Sequence, residues 1–218
     1  MFHVKHVTGE PEPEAAELLF GHTLPIARQF YEDLLTYGEE LGLIGPREIE
    51  RLWTRHIINS AVLSPLIPEG TLADVGSGAG FPGLVVAIMR PDVEVTLIEP
   101  MERRALWLAD EAERLGLKNV EVMRARAEDV PKSRTFNVVT ARAVSALKKL
   151  VPMTRPLVAP GGQMVFLKGQ RLDEEITEAA KQLVAAGFAS VEALTVGSEW
   201  KTEETRVFRA TLEAVHGS

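Results

Sequence analysis

The segment Leu72-Ala73-Asp74-Val75-Gly76-Ser77-Gly78-Ala79-Gly80-Phe81-Pro82-Gly83 constrains this chain more than any other. An apolar run ends in Asp74, a turn of alternating glycines follows, and Gly83 opens a second apolar run, Leu84 to Met89. The pattern predicts a buried strand, a tight turn and a helix start. Glycine reaches backbone angles closed to other residues and lets a ligand approach the main chain. A helix N-terminus adds unpaired N–H groups and partial positive charge. The segment reads as a nucleotide-cofactor site.

The rest of the chain supplies the frame. Residues 1–13 are polar, carry Gly9, Pro11 and Pro13, and read as a loose tail. Residues 14–67 read as helical: Ala27, Phe30, Tyr31, Leu34 and Leu35 recur at helical steps, as do Ile49, Leu52, Trp53, His56, Ile57 and Ser60. Gly42 to Pro46 separates the two stripes, and Pro68-Glu69-Gly70 marks a boundary. Over residues 71–213 strands and helices alternate. Strands are expected at Leu72–Val75, Val93–Ile98, Val120–Met123, Phe136–Thr140 and Gln163–Leu167, and helices at Gly83–Met89, Glu102–Leu115, Ala146–Leu157 and Asp173–Ala186. Gly116, Gly161-Gly162 and Gly187 fall where helix C-caps belong. This order implies a parallel sheet covered on both faces. Two last strands, near Ala189–Val196 and Thr205–Leu212, have no helical pattern between them and form an antiparallel hairpin at the sheet edge. The expected class is α/β: a mostly parallel, seven-stranded Rossmann-like sheet with a C-terminal antiparallel hairpin, preceded by a helical region.

Composition narrows the function. Apolar residues make up 45% of 218, enough for a sizeable core. Cysteine is absent, which removes disulfides and thiol chemistry and fits a reducing compartment. Leu84 to Met89 is too short to span a bilayer, Met1 to His6 lacks the apolar stretch of a signal peptide, and no metal-ligand cluster is visible. The expectation is a cytoplasmic, metal-free monomer with no membrane partner. A net charge of −7 argues against a non-specific nucleic-acid binder, but not against an enzyme that meets RNA through a local basic patch.

Gly78-Ala79-Gly80-Phe81-Pro82-Gly83 also satisfies the dinucleotide pattern G-x-G-x-x-G, so NAD or FAD stays open on that pattern alone. Asp74 sits where dinucleotide folds carry an apolar residue, and the terminal hairpin replaces further βα units. Glu99, at the end of the second strand, suits a ribose diol under either reading. An acidic residue ahead of Gly-x-Gly-x-Gly resembles the first motif of class I methyltransferases, which bind S-adenosylmethionine. Its ammonium and sulfonium make a nearby carboxylate electrostatically sensible. Ala127-Glu128-Asp129 falls where these enzymes surround the adenine; a solvated helix cap explains Glu128 and Asp129 equally simply.

Further segments resemble one family in that class, the 16S ribosomal RNA guanine-N7 methyltransferases, also called glucose-inhibited division protein B. They are Arg55-His56-Ile57-Ile58-Asn59-Ser60, the Gly76–Gly83 turn, Arg126-Ala127-Glu128, Ala141-Arg142-Ala143-Val144, and Gly161-Gly162 followed by Lys168-Gly169. The resemblance implies cofactor contacts at Gly76, Phe81, Ala127, Glu128 and Arg142, with Asp74, Gly78 and Glu99 completing the site. The resemblance also implies 16S rRNA as the substrate and partner, within the small ribosomal subunit or as free RNA. Two departures stand out. The family usually carries Asp where Asn59 stands, and its Asn-Leu-Thr stretch is missing near Tyr37 to Leu43.

Guanine N7 has an in-plane lone pair and no proton to lose, so its methylation needs alignment rather than a general base. Arg142, at the carboxyl edge of the fourth strand, is the expected positioning residue, holding the cofactor carboxylate or the guanine N7/O6 edge; a surface ion pair is the bland alternative. Arg55, His56 and Lys168 are the expected RNA contacts, though a histidine on an apolar stripe is commonly a core residue, and Trp53 reads as core. Arg47, Arg51, Arg124, Arg126, Lys148, Lys149 and Arg171 are further basic candidates or simply solvated charges. A methyltransferase of small molecules or proteins, an NAD-dependent oxidoreductase and a non-catalytic cofactor-binding module remain the alternatives.

Overall fold

The structure, a computed structural model, describes residues 9–142 and 144–214. The part of the expected tail at residues 1–8 lies outside them. Residues 9–13 are fastened rather than loose. The Tyr31 hydroxyl donates to the Glu10 carbonyl at 2.6 Å, the Thr54 N–H donates to the Glu10 carboxylate at 2.9 Å, and Arg28 pairs with Glu12 at 2.6 Å.

The helical region comprises α1 (Glu14–Phe20), α2 (Leu24–Tyr37), a 3-10 turn (Ile49–Arg51), a π-helical segment (Leu52–Ile58) and α3 (Asn59–Ala61). The predicted second stripe is therefore helical but not α-helical through most of its length. A π-helix is rare and is often found at functional sites.

The sheet begins with β1 (Gly70–Val75), followed by α4 (Gly83–Met89), β2 (Val93–Ile98), α5 (Glu102–Arg114) and β3 (Val120–Met123). Then come β4 (Phe136–Arg142), α6 (Leu147–Thr154), β5 (Val158–Lys168), α7 (Leu172–Glu178), α8 (Ala180–Ala186), β6 (Phe188–Val196) and β7 (Thr205–Leu212). The seven strands run in the order β3-β2-β1-β4-β5-β7-β6. β1 to β5 are mutually parallel, while β7 is antiparallel to both β5 and β6. The expected hairpin is present, with β6 at the edge and β7 inside.

Three expectations shift. β5 begins before Gln163, and Gly161-Gly162 lie within it rather than capping a helix. The step from Val158 to Gln163 faces only Phe136 to Val138 on β4, so the surplus residues bulge, and Gly161 takes φ +72°. The helix expected to reach Leu157 ends at Thr154 and finishes in a 3-10 turn. The helix expected over Asp173–Ala186 breaks at the fully buried Ala179.

Period-two alternation distributes the strands between two cores. Leu72, Val95, Leu97, Val138, Val165 and Val207 join the helical region, α4 and α5 on one face. Ala73, Val75, Val139, Phe166 and Phe208 meet α6, α7 and α8 on the other. The helical region thus belongs to the same core as one sheet face, and its π-helical segment meets the carboxyl end of β4 at Arg142. Among the described residues no helix is long and apolar enough to cross a membrane.

Candidate active site

β1 delivers Asp74 to the end of the sheet, fully buried. One carboxylate oxygen accepts the Gly83 N–H at 2.9 Å, and the Ser77 hydroxyl donates to the Asp74 carbonyl at 2.9 Å. A Cβ at residue 83 would lie 2.6 Å from that carboxylate oxygen and 2.3 Å from Leu97, so only glycine lets α4 start this close to β1. The other Asp74 oxygen is buried without a partner. Burial pushes this carboxyl up to about 7, against the pull of the Gly83 N–H, Ser77 and the Arg142 charge.

Glu99 braces the turn from β2. It accepts the Gly78 N–H at 3.0 Å and the Met101 N–H at 2.9 Å. From α5, the Trp107 indole N–H donates to the Ala79 carbonyl at 3.1 Å. Gly78 adopts φ +58°, and nothing but the Gly76 carbonyl lies within 4 Å of where its Cβ would be. The turn therefore presents bare backbone to open space. That space is a cleft of about 390 Å³ lined by Gly76, Gly78, Phe81, Glu99, Met101 and Arg142 among others. It lies within the size range of small-molecule sites.

Arg142 ends β4 over the Phe81 ring, its guanidinium 4.8 Å from the centroid. Phe81 and Pro82 are joined by a cis peptide, and Phe81 also packs against Phe30 and His56. Arg142 donates to the Arg55 carbonyl at 3.1 Å and to His56 Nδ1 at 2.7 Å. An arginine cannot accept, so Nδ1 must be unprotonated and the His56 proton sits on Nε2, an assignment made from the bonding pattern. Nε2 in turn lies 2.8 Å from the Glu48 carboxylate. Burial, reinforced by the Arg142 charge, lowers His56 to about 4 despite Glu48, so the ring is neutral near pH 7. The His56 hydrogen bond holds the Glu48 carboxyl below its ordinary value. Burial lowers Arg142 to about 10, leaving it charged near pH 7.

A second, larger cavity of about 700 Å³ adjoins the cleft. His56 and Arg142 line both. Arg55 and Lys168 also line the larger cavity. Lys168 is largely enclosed, 2.7 Å from Glu175, and donates to the Ser145 carbonyl. The structure thus gathers Gly76, Gly78, Phe81, Glu99 and Arg142 around one cleft, and Arg55, His56, Arg142 and Lys168 around its neighbour. It leaves Asp74 beneath the turn, out of the cleft lining. Ala127 and Glu128 lie in a 3-10 turn after β3, also outside that lining, with Glu128 exposed. Glu48 and Trp107 were not singled out by sequence reasoning. Asn59, the departure from the family pattern, donates to the Thr205 hydroxyl at 2.7 Å and joins the helical region to β7. Among the described residues no group of three or more acidic or histidine side chains could hold a metal ion.

The sheet order and the braced glycine turn define a class I methyltransferase fold. The crystal structure of a SAM-dependent methyltransferase from Aquifex aeolicus shares it, with a TM-score of 0.52 and 22% identity over 71% of this chain and 89% of that one. The family narrows further. The chain belongs to the GidB family, rRNA small subunit methyltransferase G, which matches residues 23–204. Ribosomal RNA small subunit methyltransferase G of Leifsonia xyli subsp. xyli is 52% identical over 203 residues, 93% of this chain and 97% of that protein. The Clavibacter sepedonicus protein of the same name is 51% identical over 208 residues, 95% and 99% respectively.

Proposed function

We propose that this protein methylates N7 of a guanine in 16S ribosomal RNA, using S-adenosylmethionine. The observation that carries this reading is the wall of Arg142 and His56 between the glycine-turn cleft and the larger cavity. The cofactor belongs in the cleft, against the Gly76–Gly78 backbone and Glu99, with Phe81 as its floor and Ala127 and Glu128 at its outer end. Asp74 contributes from beneath by fixing the turn. When bound, S-adenosylmethionine supplies an electrophilic methyl group.

The guanine enters the larger cavity and presents its N7/O6 edge to the shared wall. Arg142 suits that edge, since a guanidinium donates to guanine O6 and N7. The neutral His56 has both nitrogens engaged, so it is not a free base, and N7 alkylation asks for none. What the residues provide is alignment, which is worth several kcal/mol of barrier, on the order of 7–11 in the best intramolecular cases. Arg55 and Lys168 face the RNA. The partner in this reading is the small ribosomal subunit, met by a cytoplasmic monomer.

The test is incubation with labelled S-adenosylmethionine and unmodified small subunits, followed by mapping of the labelled base. Label on a guanine N7 is expected, with Arg142→Ala lowering transfer on the order of 10²-fold in a protein that still folds. RNA binding should weaken steeply with salt. Label confined to protein or to a small molecule would overturn the reading.

A further inference from the structure

The geometry points to Glu48 as a positioning residue of this reaction, acting through His56 on Arg142. The inference rests on the methyltransferase reading only for its effect on rate.

The argument runs along three side chains. Arg142 stands where the two cavities meet, and its aim depends on two acceptors, the Arg55 carbonyl and His56 Nδ1. The carbonyl is fixed by the backbone. Nδ1 is not fixed, because a neutral imidazole can carry its proton on either nitrogen. With the proton on Nδ1, the ring would point an N–H at the guanidinium and lose that bond. The 2.8 Å contact from Nε2 to Glu48 favours the same form as the Arg142 donation and adds the second bond that holds it. A carboxylate there accepts an N–H, so it stabilises the Nε2–H tautomer and leaves Nδ1 free to accept from Arg142. A carboxylate that orients a histidine's far nitrogen is a recurrent device in metal and catalytic sites; here the near nitrogen serves an arginine.

The surroundings support this role over a simple surface ion pair. The His56 side chain is only 12% exposed, and its ring is pinned by Phe81 at 5.2 Å between centroids. With the ring fixed, the proton's place is the remaining variable. The other cation facing Glu48 is Arg55, at 3.3 Å and 57% exposed, which adds little.

Two variants test it. Glu48→Gln keeps an acceptor for Nε2–H and should retain kcat within about tenfold of wild type. Glu48→Ala removes the acceptor and should lower kcat on the order of 10²-fold, the cost expected of a small misplacement, with a smaller change in KM for the subunit. The second readout is the ¹⁵N spectrum of the His56 imidazole, which distinguishes the two tautomers. Wild type and Glu48→Gln should show the Nε2–H form, and Glu48→Ala a mixture. Glu48→Ala with wild-type kcat, or with an unchanged imidazole pattern in a folded protein, would overturn the proposal. A wild-type protein that methylates no subunit RNA overturns the functional reading instead. The imidazole spectra would then still judge the hold of Glu48 on His56.

Discussion

The two cavities that meet at Arg142 are built in opposite ways. The cleft has the glycine-turn backbone as one wall, and the supports of that turn are buried: Asp74 under Gly83, Glu99 under Gly78, Trp107 behind Ala79. The larger cavity is walled by charged side chains from distant parts of the chain, several tied in exposed pairs such as Arg51–Glu203 and Lys201–Glu14. A site for a small, constant ligand gains from being pre-set, because little ordering remains to be done on binding. A surface that meets a large polyanion gains from charges that can exchange one partner for another.

Substitutions should separate the two regions sharply. Gly83→Ala comes first: its Cβ would overlap Asp74 and Leu97, and overpacking of this kind costs about 1–3 kcal/mol. Differential scanning calorimetry should register the loss, and titration with S-adenosylhomocysteine should show weakened binding. A wild-type affinity would mean the turn is not pre-set.

The buried face of α5 should next reveal itself by pH. Glu111 of α5 is fully buried, with one oxygen unpartnered. Burial, then the neighbouring Asp33 carboxylate, raise it to about 8, with Arg114 opposing. A raised carboxyl is protonated in the folded state, so the stability it contributes is complete below its ordinary value near 4.5 and is lost as pH rises through about 8. Melting temperature should fall between pH 7 and pH 9, above the titration of Asp74, and Glu111→Gln should flatten that part of the slope. A parallel slope in the variant would assign the effect elsewhere.

Trp107→Phe deletes the donor to Ala79 and trims the buried indole to a single ring, for about 1–2 kcal/mol and a modest loss of cofactor affinity by calorimetry. Smallest is Arg51→Ala at the rim. Its pair with Glu203 is exposed on both sides, so chemical denaturation should detect less than about 1 kcal/mol.

The same contrast explains what the sequence disclosed. Asp74 to Gly83 is contiguous, and each residue's conformation is dictated by neighbours in sequence, so turn, strand and helix start were readable together. Glu99 followed from its place at the end of a strand. Glu48 was not readable. Eight residues of α-helix would span about 12 Å, yet Glu48 touches His56 because the chain changes direction at Arg51, whose φ −133° and ψ 29° are not helical, where the 3-10 turn meets the π-helical segment. No regular periodicity encodes that contact. Trp107 was hidden for another reason: its apolar ring suits the core stripe of α5, and only the distant Ala79 carbonyl reveals a polar duty. The early start of β5 was masked by Gly161-Gly162, which serve a bulge as readily as a helix cap.

The position of β7 bears on how the protein is made. Among the described strands the one synthesised after the other six is an interior one, seated between β5 and β6 with Phe208 stacked on Phe166. Until residues 205–212 emerge, β5 has an open edge and β6 has no partner in the sheet at all. Nascent chains halted before Thr205 should therefore expose two unpaired strands to chaperones and proteases.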